Sequence, residues 1–200
     1  MGLPPDLVFR TKGQLATGIC ADAYADGLRF DFTCGDEVYG SCTQLREFFE
    51  ARGQAYVLRV ASNFSLTLAG QATVTCAEAV SGLLKHQRRW EVRSAGKGSK
   101  GERWYAWAWL ATASPRHHLL IRRPLKTGDL AFCYCYVSGE QLTAKTRLIR
   151  AAGLRWPVDA SWPLHDSYGL PLDRIPDVIA HTVELIIGDL RTHVTDDTPT

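Results

Sequence analysis

The chain has 200 residues, of which 46% are hydrophobic and 22% are charged, a composition typical of a globular domain with a buried core. This composition excludes disordered, collagen-like and disulfide-scaffold proteins. No window approaches eighteen uninterrupted apolar residues, and the start lacks the basic and apolar segments of a signal peptide, so we expect neither a membrane span nor secretion.

The net charge of +2 conceals an uneven distribution of charged residues. The segment 85–155 contains fifteen Lys and Arg against four acidic residues, whereas the rest of the chain contains eight against seventeen. A basic block of this size favours a polyanionic partner, and nucleic acid first, because cations that neutralise phosphates release bound counterions. A solvated basic surface without a partner is the alternative interpretation.

The cysteines form no C-x-x-C pair and have no accompanying histidine spacing, so no zinc site or thioredoxin-like motif is indicated. We expect reduced, buried thiols and a cytoplasmic protein. The six residues are Cys20, Cys34, Cys42, Cys76, Cys133 and Cys135.

Predicted strands and helices alternate over the first sixty residues, which indicates an α/β layered sheet. The predicted elements are a strand at 7–9, a helix carrying Leu15, Ile19 and Ala23, a strand at 28–34, a helix from Thr43 to Gly53 and a strand at 55–61. The predicted strand at 28–34 places Asp36 just beyond its carboxyl end.

The middle of the chain is rich in aromatic and β-branched runs, and three of them predict an antiparallel meander over 103–113, 118–122 and 130–137. The segment 94–101 reads as a flexible basic loop, and its glycines do not have the spacing of a phosphate-binding P-loop. A helix is predicted from Gln141 to about Ala152.

The C-terminal part is interrupted by prolines, and a final amphipathic helix is predicted from about Ile175 to Arg191. We therefore divide the chain into a partial α/β segment at 1–61, a β-rich basic insertion at 62–140, a helical segment at 141–159 and a divergent tail at 160–200.

Seven short motifs occur in a fixed order between residues 5 and 158. They are Val8-Phe-x-Thr-Lys12, Gly35-Asp-Glu-Val-Tyr-Gly40, Tyr56-Val-Leu-x-Val60, Ser94-Ala-Gly96, Tyr105-x-Trp-Ala-Trp109, Leu119-Leu-Ile-Arg-Arg123 and Ala152-Gly-x-Arg-Trp156. In this order they resemble the bacterial insertion-sequence transposases of the DDE superfamily. The resemblance implies an α/β, ribonuclease H-like domain, here partial, with an inserted antiparallel β-meander and an additional C-terminal helix.

The family's active site implies three carboxylates that hold two divalent cations, Mg²⁺ or Mn²⁺, for DNA strand cleavage and transfer. Asp36 matches the second carboxylate. Arg155 matches the basic residue that precedes the third carboxylate by four positions, which places Asp159 where a longer Glu is expected. The family's first Asp lies upstream of Val8, so we expect this chain to be truncated and catalytically incomplete.

The resemblance also implies DNA as partner, and either a full-length transposase or self-association. The DNA-binding candidates are Lys97, Lys100, Arg103, Arg122, Arg123, Lys126 and Arg155. Loss of the upstream strands would expose sheet edges, so poor solubility or dependence on a partner is predicted.

Two alternative functions are weighed beside this one. The chain is either a non-catalytic DNA-binding remnant that interferes with a full-length transposase, or an unrelated α/β enzyme with a small-molecule pocket. The histidines are dispersed, and the adjacent His117 and His118 are expected on opposite faces of a strand. Trp104, Trp107 and Trp109 suit stacking on bases, although packing in the core is the favoured interpretation.

Overall fold

The computed structural model describes residues 9–28, 30–98, 101–138 and 145–154. The described part is a mixed α/β structure. Its helices are α1 (Lys12–Ala25), α2 (Glu37–Gly40), α3 (Thr43–Ala51), α4 (Cys76–Leu83) and α5 (Lys145–Leu154). Its strands are β1 (Thr33–Gly35), β2 (Tyr56–Val60), β3 (Ser65–Thr67), β4 (Thr73–Thr75), β5 (Glu91–Gly98), β6 (Gly101–Ala111), β7 (His117–Pro124) and β8 (Ala131–Tyr136).

Six strands form the main sheet in the order β1-β2-β8-β7-β6-β5, and β3 and β4 form a separate hairpin. The short strand β1 runs parallel to β2, whereas all other neighbours in the main sheet are antiparallel. Because β2 pairs with β8, the meander continues the sheet that the N-terminal strands begin.

Helix α5 packs on one face of the main sheet, which we call the concave face. The helix contacts β5 at one edge of the sheet and β1 and β2 at the other, so the sheet curls around it. Leu148 and Ile149 of α5 are buried against Val57, Trp107 and Leu120. This apolar contact holds the ten described residues of α5 on the sheet.

The opposite, convex face has two covers. Helices α1 and α3 bury Ala16, Leu45 and Phe49 over the β1–β2 end of the sheet. The β3–β4 hairpin and α4 bury Leu66 and Cys76 over the strands of the meander. With both faces covered, β2 is buried at four of its five positions, as expected for a central strand.

Most predicted elements are confirmed with small shifts of their ends. The helix after residue 11, the helix that Gly53 follows, the strand β2 and the three strands of the meander all form. Helix α3 begins at Thr43 as predicted, with Cys42 as its N-cap residue, and ends at Ala51. The predicted strand at 28–34 is shorter, because only Thr33–Gly35 pair with β2.

The predicted loop at 94–101 is wrong. Residues 91–98 form β5, which pairs with β6 through a register shift between Ser94 and Lys97. The predicted helix at 141–152 is found as α5, described from Lys145. Of the predicted strand at 7–9, only Phe9 is described, and it is not part of a strand. The predicted helix at 175–191 lies outside the described residues. Within the described ranges, no helix has the length and apolar character that crossing a bilayer requires.

Candidate nucleic-acid interface

Asp36 lies where the sequence predicts it, directly after β1. It is the N-cap residue of α2, and its Oδ1 accepts a hydrogen bond from the Val38 N–H at 2.9 Å. Its side chain is partly exposed. Because β1 and β2 are parallel, their carboxyl ends lie together, and Asp36 therefore adjoins the end of β2.

Arg59 is the one charged residue of β2, and its side chain is directed to the concave face together with that of Val57. Its Nη2 lies 3.2 Å from Oε1 of Glu37, the residue after Asp36. The Arg59 side chain is 26% exposed, so most of it is covered by the protein. The ion pair holds the guanidinium beside the segment that carries Asp36.

Arg122 lies on the same face of β7, where its backbone pairs with Trp107 of β6 and Ala131 of β8. Its guanidinium carbon is 4.7 Å from the centre of the Tyr105 ring, a cation–π contact. Burial lowers the pKa of Arg122, and the nearby charges of Arg59 and Arg103 lower it further. The Tyr105 and Cys133 side chains act in the opposite direction. The Arg122 guanidinium therefore lies close enough to those of Arg59 and Arg103 to be repelled by each of them.

Arg103 is the third member of this group. Its guanidinium donates to the carbonyl oxygens of Ala95 and Gly96 at 3.3 and 3.4 Å. Those carbonyls belong to the irregular part of β5, against which Gly153 of α5 packs. We call Arg59, Arg103 and Arg122 together the arginine edge.

The last described turn of α5 lies between the arginine edge and β1. Cys34 of β1, two residues before Asp36, donates its thiol to the Ala151 carbonyl oxygen at 3.3 Å. The last described turn of α5 therefore contacts both β1, which leads to Asp36, and the part of β5 that accepts hydrogen bonds from Arg103. Arginine guanidiniums bind phosphate oxygens in bidentate pairs, and carboxylate oxygens bind hard cations. This end of the sheet therefore carries groups that suit a phosphate and one that suits a cation.

The other predicted DNA-binding residues do not join the arginine edge. Arg123 points to the convex face, where its guanidinium lies 4.2 Å from the centre of the Trp90 ring, and Lys126 lines a groove beside it. Lys97 is exposed on β5 opposite Glu102. Lys100, Arg155 and Asp159 lie outside the described residues. The predicted set therefore divides between two faces of the sheet.

A pair of divalent cations does not fit the carboxylates described. No group of three His, Cys, Asp or Glu side chains within the four described ranges is placed to hold a metal ion. Asp36 contributes one carboxylate, which also caps α2, and Glu37 is paired with Arg59. Of the two carboxylates predicted to bind a metal ion, Asp36 is described and Asp159 lies outside the described residues.

A hydrogen-bonded chain of Ser114, His117 and Glu50 lies on the convex face and was not predicted. His117 Nδ1 lies 2.8 Å from Ser114 Oγ, and its Nε2 lies 3.1 Å from Glu50 Oε1. Ser114 also accepts the Arg116 N–H, as a turn residue does, and Tyr134 stacks on the histidine ring. These hydrogen bonds connect α3 to the turn before β7. This structural role accounts for the arrangement of the three side chains without a catalytic function.

The tryptophans of β6 follow the favoured prediction only in part. Trp107 is 2% exposed and lies in the core under α5, and Trp109 packs on His118. Trp104 is 53% exposed. His118 lies on the concave face with Trp109, whereas His117 contacts Tyr134 on the other, so the predicted separation of the two histidines is confirmed.

Arg59 is the site residue that sequence reasoning missed. The sequence does indicate Arg59, because it is a charged residue among the apolar residues of β2. Charged side chains are rarely buried inside a central strand unless they are paired. No protein-family model and no curated protein matches this chain.

Proposed function

We propose that this chain is a cytoplasmic DNA-binding protein of transposase descent, whose arginine edge takes the sugar-phosphate backbone beside Asp36. Its ancestry is that of the metal-dependent enzymes that cut and join DNA in transposition, with a partial ribonuclease H-like domain. The parallel β1–β2 pair, the acidic residue after β1 and the meander inserted before α5 support this descent.

One observation carries the proposal: half-buried Arg122 lies near both Arg59 and Arg103, at the end of the main sheet that also presents Asp36. Bringing like charges together costs electrostatic free energy, which an anion between them relieves. A DNA backbone offers a phosphate at each nucleotide, and arginine is well suited to its planar, bidentate recognition.

The proposal also holds that this chain does not cut DNA unaided. In the intact family, Mg²⁺ or Mn²⁺ would activate the attacking oxygen and stabilise the leaving oxygen. Among the described residues, Asp36 is the carboxylate that matches that set, and Asp159 is one methylene shorter than the Glu expected there. A full-length transposase, or a second copy of this chain, is the protein partner we propose.

A titration of the full chain with labelled duplex DNA tests the proposal. We expect binding at about 50 mM salt, with the logarithm of the association constant falling linearly as the logarithm of salt rises. Supercoiled DNA incubated with the chain and Mg²⁺ or Mn²⁺ should remain uncut. No binding at the lowest salt contradicts the DNA-binding role. Nicking that Asp36→Ala abolishes contradicts the incomplete site.

A further inference from the structure

Three large apolar side chains are exposed on the convex face, at the end of the main sheet that β5 and β6 form. Val92 of β5 and Trp104 of β6 point to the same side, since Val92 pairs with Ala106 and Ser94 with Trp104. Val92 and Leu125 are each 57% exposed, and Trp104 is 53% exposed. We call Val92, Trp104 and Leu125 the apolar patch. Exposed apolar clusters of this kind are typical of surfaces that bind another segment or protein.

A basic groove adjoins the apolar patch. The groove has a volume of about 350 Å³, and Val92 and Leu125 line it together with Arg123 and Lys126. None of the described residues that line the groove is acidic. The β3–β4 hairpin and α4 cover the neighbouring part of the convex face but leave the apolar patch exposed. A segment that fits this surface has an apolar side for the patch and acidic residues for the groove.

The chain itself contains a segment of this character. The sequence predicts an amphipathic helix at 175–191, whose apolar residues repeat at helical spacing and form a stripe. The stripe includes Ile175, Ile179, Val183, Ile186 and Leu190. At 3.6 residues per turn, Asp189 borders the stripe of this predicted helix, whereas Asp177 and Glu184 lie on its other side. Residues 156–200 contain eight acidic residues against two basic ones, so their charge is opposite to that of the groove.

The described part of the chain ends close to the apolar patch. Gly153, in the last described turn of α5, packs against the carbonyl group of Ala95 in β5. Strand β5 is the edge of the main sheet, so a chain that passes around this one strand reaches the convex face. The twenty residues 155–174 can span up to about 65 Å when extended. Packed layers are only about 10 Å apart, so this length is enough to bring 175–191 to the patch.

We propose that residues 175–191 dock on the apolar patch of their own chain, with the stripe on the patch and acidic residues of the segment beside Arg123 and Lys126. An amphipathic helix that lays its apolar side on a hydrophobic surface is a recurring mode of peptide recognition. Attraction between the acidic segment and the basic groove favours the same placement. The inference uses neither the arginine edge nor DNA as a ligand, so it does not depend on the proposed function.

Hydrogen–deuterium exchange of the full chain, measured by mass spectrometry, tests this docking. In the unaltered chain, the amides of 175–191 should exchange at least about tenfold more slowly than in an unfolded peptide. Leu125→Asp places a charge in the apolar patch and should speed exchange at 175–191 about fivefold or more. Leu28→Asp is the matched control, because it makes the same change at a side chain 49% exposed just after α1. It should leave exchange at 175–191 unchanged. Both side chains are exposed, so both variants are expected to fold.

Substitutions within the segment supply the reciprocal test. Ile186→Asp alters the stripe and should speed exchange both at 175–191 and in the turn that carries Leu125. His181→Asp introduces the same side chain on the other side of the predicted helix and should change exchange in neither region.

Several results would overturn the docking. Rapid exchange throughout 175–191 in the unaltered chain would do so, because a docked segment is protected. Unchanged exchange at 175–191 in the Leu125 variant would also do so, as would equal increases in the Leu125 and Leu28 variants. Protection that disappears on dilution would show that the segment comes from a second copy, which contradicts docking within one chain.

Discussion

Gly153 allows α5 to approach the sheet closely enough to form the concave core. A Cβ atom at this position would overlap the carbonyl oxygen of Ala95 in β5. Backbone atoms cannot yield as the end of a flexible side chain does, so a larger residue must displace either the helix or the strand. The same carbonyl accepts from Arg103, which links this contact to the arginine edge.

We predict that Gly153→Ala lowers the free energy of unfolding by about 1–3 kcal/mol, because the added methyl group forces α5 away from β5. Gly18→Ala is the matched control, since a Cβ at this position of α1 meets nothing within 4 Å. The control should raise stability by up to about 1 kcal/mol, the usual gain of Ala over Gly in a helix. Urea denaturation followed by circular dichroism measures both, and equal effects would contradict the close approach.

His118 is a second residue whose surroundings predict a measurable property. It lies half-buried on the concave face with its ring 4.4 Å from that of Trp109. Burial is the main cause that lowers its pKa, and the adjacent His117 lowers it further. The folded protein therefore takes up a proton at His118 less readily than the unfolded chain does.

The sign of the pH dependence follows from this difference. Above the unfolded pKa of about 6.5 both states are neutral at His118, and below it the unfolded state binds more protons, so folding stability falls as the pH drops. We predict that His118→Gln reduces the loss of stability between about pH 7.5 and pH 5.5 relative to the unaltered chain. An unchanged pH profile in the His118 variant would refute the assignment.

Among the elements, those with clear periodicity or clear end signals were predictable. Helix α1 has a capping box in which Thr11 and Gln14 exchange hydrogen bonds, and β2 is apolar at every position except Arg59. Local chemistry determines such elements, so one sequence is enough to locate them. The antiparallel meander was equally visible, because turn residues separate its three strands.

The sequence predicts a loop at 94–101, where β5 extends to Gly98, because the local residues disfavour a strand. Gly96 and Gly98 lack side chains that pack on a sheet, and Gly96 has a φ of 95°, outside the range of an ordinary strand. The strand forms because its backbone pairs with the long strand β6. In addition, Ala95 of β5 and Trp107 of β6 pack in the same apolar cluster as helix α5. Tertiary contacts, which a propensity argument omits, decide this element.

At the scale of the whole molecule, the sequence predicted Asp36 at a strand end but not the arginine edge. Alternation alone indicates that Arg122 and Arg123 point to opposite faces. Which arginines of β2 and β6 accompany Arg122 depends on the register of four strands and on the curl of the sheet around α5. These long-range features leave no local pattern, so Arg59 could be recognised only as an unexplained charge in an apolar strand.

The most direct test of the account compares two pairs of substitutions that remove the same charge. The double variant Arg59→Gln with Arg122→Gln alters the arginine edge, and Arg116→Gln with Arg150→Gln alters exposed positions elsewhere. Duplex DNA affinity is measured for both and for the unaltered chain across a range of salt concentrations. We predict that the first pair lowers the slope of log affinity against log salt by about two and weakens binding strongly, while the second changes the slope by less than about one. Equal slopes and affinities in the two double variants would contradict binding of the DNA backbone at the arginine edge.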